Sequence, residues 1–255
     1  MTIEISQFPC LSDNYGYLVR DKASGAVAAI DTPDAQAINT VLAEKGWRLT
    51  HILNTHWHPD HAGGNVALKE RWACRIFAPA GEFAKIPGAD TPVREGDIVA
   101  LGETKARVID TPGHTSGHII YYFDADNAAF VGDTIFALGC GRLFEGTPEE
   151  MWSSLSKVAA LPSDTKLYCA HEYTLANARF AVTVDPENAA LKKRVCEVEE
   201  MRARGEPTVP TTLSEECATN PFLRAEDGGL KHAIGMEGES ALAVFAEIRK
   251  RKDRF

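Results

Sequence analysis

The chain has 255 residues, a net charge of −9 and a hydrophobic fraction of 44%. A chain of this length buries a sizeable core without disulfide staples, and its acidic balance argues against non-specific nucleic-acid binding and a membrane-surface role. No run of about 18 apolar residues is present, which excludes a helical membrane span at the level of sequence.

Met1-Thr2-Ile3-Glu4 has neither the basic nor the apolar segment of a secretory signal. The six cysteines, Cys10, Cys74, Cys140, Cys169, Cys196 and Cys217, are scattered and form no CxxC pair. Reduced thiols in a cytoplasm are the simplest expectation.

In chain order, short apolar and β-branched runs closed by turn residues read as strands. They are 26–30 ending at Asp31, 51–53 ending at Asn54, 107–109 ending at Asp110, 128–131 ending at Gly132, and 166–169 ending before His171. Helical stretches fall between some of them, notably 35–45 and 66–72. Thr147-Pro148-Glu149-Glu150 is a capping box with proline in the first turn, and it predicts a helix running toward Ala160. After His171 strand signals fade, and 174–184, 186–204 and 240–251 read as helices. Ala241, Val244, Phe245 and Ile248 give the last an apolar face. The expected organisation is α/β, with a body over residues 1–172 and a small helical domain over 173–255.

Five of the eight histidines lie just after predicted strands. The run 55–65 carries four ligand-type residues, His56, His58, Asp60 and His61. Pro59 and Gly63-Gly64 argue against a helix there, so a loop is expected. In an extended loop His56, His58 and Asp60 alternate to one side and His61 points elsewhere, which suits two adjacent metals better than one. His114 follows Gly113, which permits a sharp turn. Asp133 and His171 each follow a strand. Together these residues make a dinuclear set of five imidazoles and two carboxylates, at strand ends where α/β proteins build their sites. His51, His118 and His232 read as structural or surface residues, and Trp57 as a packing residue that holds the loop.

His56-x-His58-x-Asp60-His61 with His114, Asp133 and His171 resembles the metallo-β-lactamase superfamily. Within it the chain resembles the glyoxalase II, or hydroxyacylglutathione hydrolase, family. The further carriers are Thr111 to Thr115, Gly132 to Thr134, Gly139 to Arg142, Glu145 to Thr147, His171 to Thr174, Asn220 to Arg224 and the basic end from Arg249. The resemblance implies a four-layer αββα sandwich followed by a small α-helical C-terminal domain. It implies one metal on His56, His58 and His114, a second on Asp60, His61 and His171, and Asp133 bridging both. Nitrogen and oxygen donors without thiolate suit zinc, iron or manganese, with zinc the first expectation. Cys140 and Cys169 match no ligand position.

The implied substrate is a small molecule, S-D-lactoylglutathione, hydrolysed to glutathione and D-lactate by a metal-bound hydroxide in methylglyoxal degradation. Asp60 is expected to accept a hydrogen bond from that hydroxide and aim it. A free thiol has a pKa of about 8.5, so the thiolate departs with little help from an acid. No GxSxG elbow is present for covalent chemistry. The resemblance places glycine-carboxylate contacts at Arg249 and Lys252, which share a helix face. It matches Arg142 to a glutathione-binding lysine, Tyr173 to a direct contact, and Phe144 to a position where many relatives have tyrosine. The alternative is an iron-dependent persulfide dioxygenase of the same superfamily. A monomer in the cytoplasm, without nucleic-acid or membrane partners, is expected.

Overall fold

Strand pairing in the first third of the chain starts from a long hairpin. A computed structural model describes residues 1–255, and the chain divides into two units, Met1–Asp110 with Thr115–Gly132, and Thr111–His114 with Asp133–Phe255.

In the first unit, β1 (Ile3–Cys10) and β2 (Asn14–Asp21) pair antiparallel along their full length, Ile3 opposite Asp21 and Cys10 opposite Asn14. Then β3 (Val27–Ile30) adds antiparallel to β2. The chain crosses over through α1 (Ala35–Lys45) to β4 (His51–Leu53), parallel to β3. The short α2 (Pro59–Ala62) and α3 (Asn65–Trp72) lead to the parallel strands β5 (Arg75–Pro79) and β6 (Thr91–Val93). The sheet order is β1-β2-β3-β4-β5-β6. Four more strands, β7 (Ile98–Leu101), β8 (Thr104–Asp110), β9 (Ile119–Phe123) and β10 (Ala128–Gly132), form an antiparallel meander.

Helix α1 starts where the Asp34 carboxylate accepts the amides of Gln36 and Ala37, and stops at Gly46 in the left-handed region. Its Ile38 and Leu42 pack with Leu18, Ala29, Ile52, Leu68 and Ile76, all buried. Each leucine or isoleucine among them contributes about 1.5–3 kcal/mol by leaving water. On the opposite face the two sheets meet. The Tyr17 ring of β2 packs edge-on against Phe130 of β10 at 5.4 Å, and the Tyr121 hydroxyl of β9 donates to the Asn54 carbonyl at 3.0 Å.

The second unit contains the hairpin β11 (Ile135–Phe136) and β12 (Gly139–Cys140), then α4 (Pro148–Ala159) and β13 (Lys166–Cys169). Helices α5 (Thr174–Val184) and α6 (Ala189–Ala203) follow, then β14 (Thr211–Thr212), which pairs antiparallel with β13. Three helices close the chain: α7 (Leu213–Thr219), α8 (Gly228–Ile234) and α9 (Ala241–Lys252). The capping box at Thr147 forms as expected. Thr147 accepts from the Glu150 amide, and the Glu150 carboxylate accepts from the Thr147 amide. Part of this unit's core is polar. The fully buried Glu216 takes Arg194 at 2.7 Å, the Asn220 amide at 2.8 Å and the Leu138 amide at 2.9 Å, so the network fixes the turn of the β11–β12 hairpin.

Three expectations need correction. Pro59 does not exclude a helix. It sits in the first turn of α2, where its missing amide hydrogen costs nothing, and the Gly63 amide closes the turn on the Pro59 carbonyl at 2.8 Å. The alternation drawn for an extended loop therefore fails: Asp60 and His61 lie together in the helix, Asp60 Oδ2 3.5 Å from His61 Nε2. Helix α6 begins at Ala189 rather than at 186, because Asn188 is its cap and accepts from the Leu191 amide. No helix is long and apolar enough to cross a membrane. All six cysteines are free.

Candidate metal centre

The first unit carries His56, His58, Asp60 and His61. The residues leave the end of β4 and run through α2, so one short segment presents all four. His56 Nε2 lies 3.0 Å from His58 Nδ1, and His61 Nε2 lies 3.5 Å from Asp60 Oδ2. His56 and His61 are buried, while His58 and Asp60 are partly exposed.

Their supports come from elsewhere in the same unit. The Asp31 carboxylate faces His61 Nδ1 at 2.8 Å and also accepts the Thr55 amide and hydroxyl, each at 2.8 Å. Asp31 itself adopts a left-handed φ of 57° at the end of β3. The Asn14 amide donates to Asp60 Oδ2 at 3.1 Å. Buried Glu82 accepts the Trp57 amide at 3.1 Å and the Gly117 amide at 2.9 Å. Trp57 packs with Ala62, Ala78 and Ile86, as expected for a residue that holds the segment. His118 is fully buried with its ring 4.8 Å from that of His56, so it belongs to the packing behind the ligands. His51 packs on Phe77, and His232 is exposed beside Glu237.

The second unit carries His114, Asp133 and His171. Asp133 Oδ2 lies 3.3 Å from His114 Nε2, and Asp133 Oδ1 lies 3.5 Å from His171 Nε2. Each oxygen of one carboxylate thus faces a different imidazole. The Arg142 carbonyl oxygen holds His114 Nδ1 at 2.9 Å. Gly113 precedes that histidine at φ 147°, and a Cβ there would come within 2.8 Å of the Met151 Cβ.

Two of the residues expected to bind substrate, Tyr173 and Phe144, pack on imidazoles of this unit. Tyr173 stacks on His171, centroids 4.7 Å apart and planes within 3°. Phe144 meets His114 edge-on at 5.2 Å and is 62% exposed, and Arg142 is exposed. Phe136 packs edge-on against both His171 and Tyr173. Arg249 is otherwise placed than a basic helix end suggests. It is only 4% exposed, donating to the Cys140 carbonyl at 2.9 Å and to the Asp253 carboxylate at 2.8 Å. Lys252 is partly exposed, and its ammonium donates to the Ala176 carbonyl at 3.2 Å. Burial first, then the charges of Arg249 and Arg142, lower the Lys252 pKa to about 8.

A profile of the metallo-beta-lactamase superfamily matches residues 17–171, and one described as hydroxyacylglutathione hydrolase C-terminus matches 172–255. A protein of Hyphomonas neptunium named hydroxyacylglutathione hydrolase is 59% identical over 99% of this chain and 98% of its own length. The chain belongs to the hydroxyacylglutathione hydrolase family. A protein of the same name from Maricaulis maris is 56% identical over 98% of each chain. The crystal structure of ETHE1 from Myxococcus xanthus is 26% identical, with a TM-score of 0.70 over 98% of this chain and 90% of that one. The fold is the metallo-beta-lactamase fold with a helical C-terminal part.

This family implies bound divalent metal, and the donor set fits it. Imidazoles and carboxylates without thiolate are the ligands of borderline and hard divalent ions. Asp31 and the Arg142 carbonyl engage Nδ1 of His61 and His114, which leaves Nε2 as the lone-pair donor in each. Asp31, Asn14, Glu82 and Phe136 are the residues that sequence reasoning missed. Asp31 alone left a trace, as an acid closing an apolar strand.

Proposed function

We propose that this chain hydrolyses the thioester of an S-(2-hydroxyacyl)glutathione, S-D-lactoylglutathione first, releasing glutathione and D-lactate in the second step of methylglyoxal degradation. The observation that carries this reading is the arrangement around Asp133. Its two oxygens face His114 and His171, and those two imidazoles bear Phe144 and Tyr173, two of the expected glutathione contacts. The thioester and peptide ends of one substrate are served by adjoining side chains. The full-length relatives named hydroxyacylglutathione hydrolase favour it over the persulfide dioxygenase.

In this reading His56, His58 and His114 would hold one ion, Asp60, His61 and His171 would hold a second, and Asp133 would serve both. A pair of divalent ions, zinc first and iron or manganese otherwise, supplies Lewis acidity at the carbonyl and acidifies water toward neutral pH. The side chains do the rest. Asp31 and the Arg142 carbonyl fix the tautomers of His61 and His114. Asp60, held by the Asn14 amide, accepts a hydrogen bond from the attacking water and aims it. Arg142, Tyr173, Arg249 and Lys252 gather the glutathione moiety, with Phe144 lining its path. The thiolate leaves unaided, since a thiol of pKa about 8.5 is a weak base. Residues 1–172 form the catalytic domain and 173–255 the glutathione-binding one, in a cytoplasmic monomer acting on a small molecule.

The test is purified protein with its metal content measured, assayed on S-D-lactoylglutathione, a β-lactam and glutathione persulfide. Turnover confined to the first substrate is expected. Equal rates on all three would overturn the reading.

A further inference from the structure

Phe255 is 66% exposed, so burial explains little of its position. Its ring nevertheless has a fixed place. The Phe255 amide closes a turn on the Lys252 carbonyl, and the ring meets fully buried Phe180 of α5 edge-on at 5.5 Å. The Lys252 ammonium lies 5.2 Å from the centroid of each ring. The aromatic surface continues inward. Phe180 stacks on Phe222, over which the Arg249 guanidinium sits at 5.2 Å.

We infer that Phe255, together with Phe180, is a positioning residue that holds the Lys252 ammonium aimed at a carboxylate of the substrate. The inference rests on the glutathione thioester reading, since it needs a substrate anion for Lys252 to meet. The physical case comes from what Lys252 lacks. Its ammonium is partly removed from water, its only hydrogen-bond acceptor given by the structure is the Ala176 carbonyl, and Arg249 and Arg142 repel it. Burial and like charge make such an ammonium easier to deprotonate than an exposed lysine, and a neutral amine attracts no carboxylate. Two aromatic rings oppose that loss, because a ring's negative face attracts a cation. Unlike an acidic partner, the rings hold the ammonium without neutralising it. A carboxylate in their place would compete with the substrate.

A ring whose task is the cation and not the core gives a distinct pattern of variants. Phe255→Leu keeps an apolar side chain and removes the π face. Phe255→Trp keeps the face. For S-D-lactoylglutathione, the leucine variant should raise KM about two- to fivefold with kcat unchanged. The tryptophan variant should match the parent. With the thioester of glutathione C-terminal amide, whose glycine carboxylate is capped as a neutral amide, leucine and phenylalanine should give the same KM. A leucine variant with parental KM on S-D-lactoylglutathione would overturn the inference. So would a tryptophan variant as impaired as leucine, since that means packing alone.

A second readout needs no substrate. In the intact protein, the Lys252 ε-methylene resonance, assigned by Lys252→Arg, should lie upfield of the other lysines under the two ring currents. It should move downfield in Phe255→Leu. A signal at the position of exposed lysines in the parent would overturn the clamp whatever the kinetics. If the shifted signal is present and responds to Phe255 while S-D-lactoylglutathione is not hydrolysed, the clamp stands and the substrate reading fails.

Discussion

The Tyr173 ring lies flat on the His171 imidazole, 3° from parallel with centroids 4.7 Å apart. A residue expected to touch substrate is thereby fixed by a residue expected to touch metal. Aromatic pairs of this kind contribute about 0.5–1.5 kcal/mol beyond the area they bury. The Phe136 ring, edge-on to both, locks the pair from the β11–β12 hairpin.

The hydroxyl and the ring of Tyr173 should therefore separate by mutation. Tyr173→Phe keeps the stack and removes one hydrogen bond, so KM should rise roughly fivefold or less with metal content unchanged. Tyr173→Ala removes the stack as well, and metal affinity should fall alongside. Chelator competition on both variants, beside steady-state kinetics, checks the split.

Asp31 touches His61 Nδ1 and both polar groups of Thr55, yet belongs to no metal motif. Asp31→Ala should lower affinity for one of the two ions by about ten- to a hundredfold. Stepwise metal titration of the stripped protein reads this directly. Two unchanged binding steps would show that the Asp31 contact does not tune its histidine.

The Lys252 ammonium has a pKa lowered to about 8, by burial first and then by Arg249 and Arg142, while the buried Cys140 thiol acts in the opposite sense. The group is cationic below that pH and neutral above it. KM for S-D-lactoylglutathione should accordingly rise as pH passes through 8, with kcat following a separate profile. Lys252→Arg keeps its charge throughout the range, and its KM should stay flat there.

Gly132 ends β10 at φ 47°, and a Cβ would come within 2.6 Å of His118 Nε2 and 2.7 Å of Thr55 Oγ1. Gly132→Ala combines a left-handed backbone penalty with a clash beside His56. A loss of about 1–3 kcal/mol is expected. Denaturant unfolding with an unchanged midpoint would refute this.

The fold and the ligands were legible to different degrees. Strands β3, β4, β10 and β13 are short apolar runs stopped by a turn residue, and Ile30, Leu53 and Val131 are fully or nearly fully buried as that pattern requires. β1 escaped notice because Glu4, Ser6 and Gln7 interrupt it and β2 because Asn14, Gly16 and Arg20 do, and pairing with each other makes them strands. The seven ligand-type residues stood out by chemical type and by place after strands. Their supports did not, because Asn14, Asp31 and Glu82 are ordinary polar residues until folding sets them against the ligand segment. The burial of Arg249 was not legible. It is expected from the sequence to share a helix face with Lys252 as a carboxylate contact, and α9 turns it inward with Val244, Phe245 and Ile248.

The central claim is that one carboxylate, Asp133, serves two metals in a thioester hydrolase. The most direct measurement is metal stoichiometry and S-D-lactoylglutathione turnover for Asp133→Asn beside the parent. A neutral amide is a poor bridge, so bound metal should fall below two per chain and turnover should collapse. An Asp133→Asn protein that keeps two metals and hydrolyses the thioester at a near-parental rate would contradict the account.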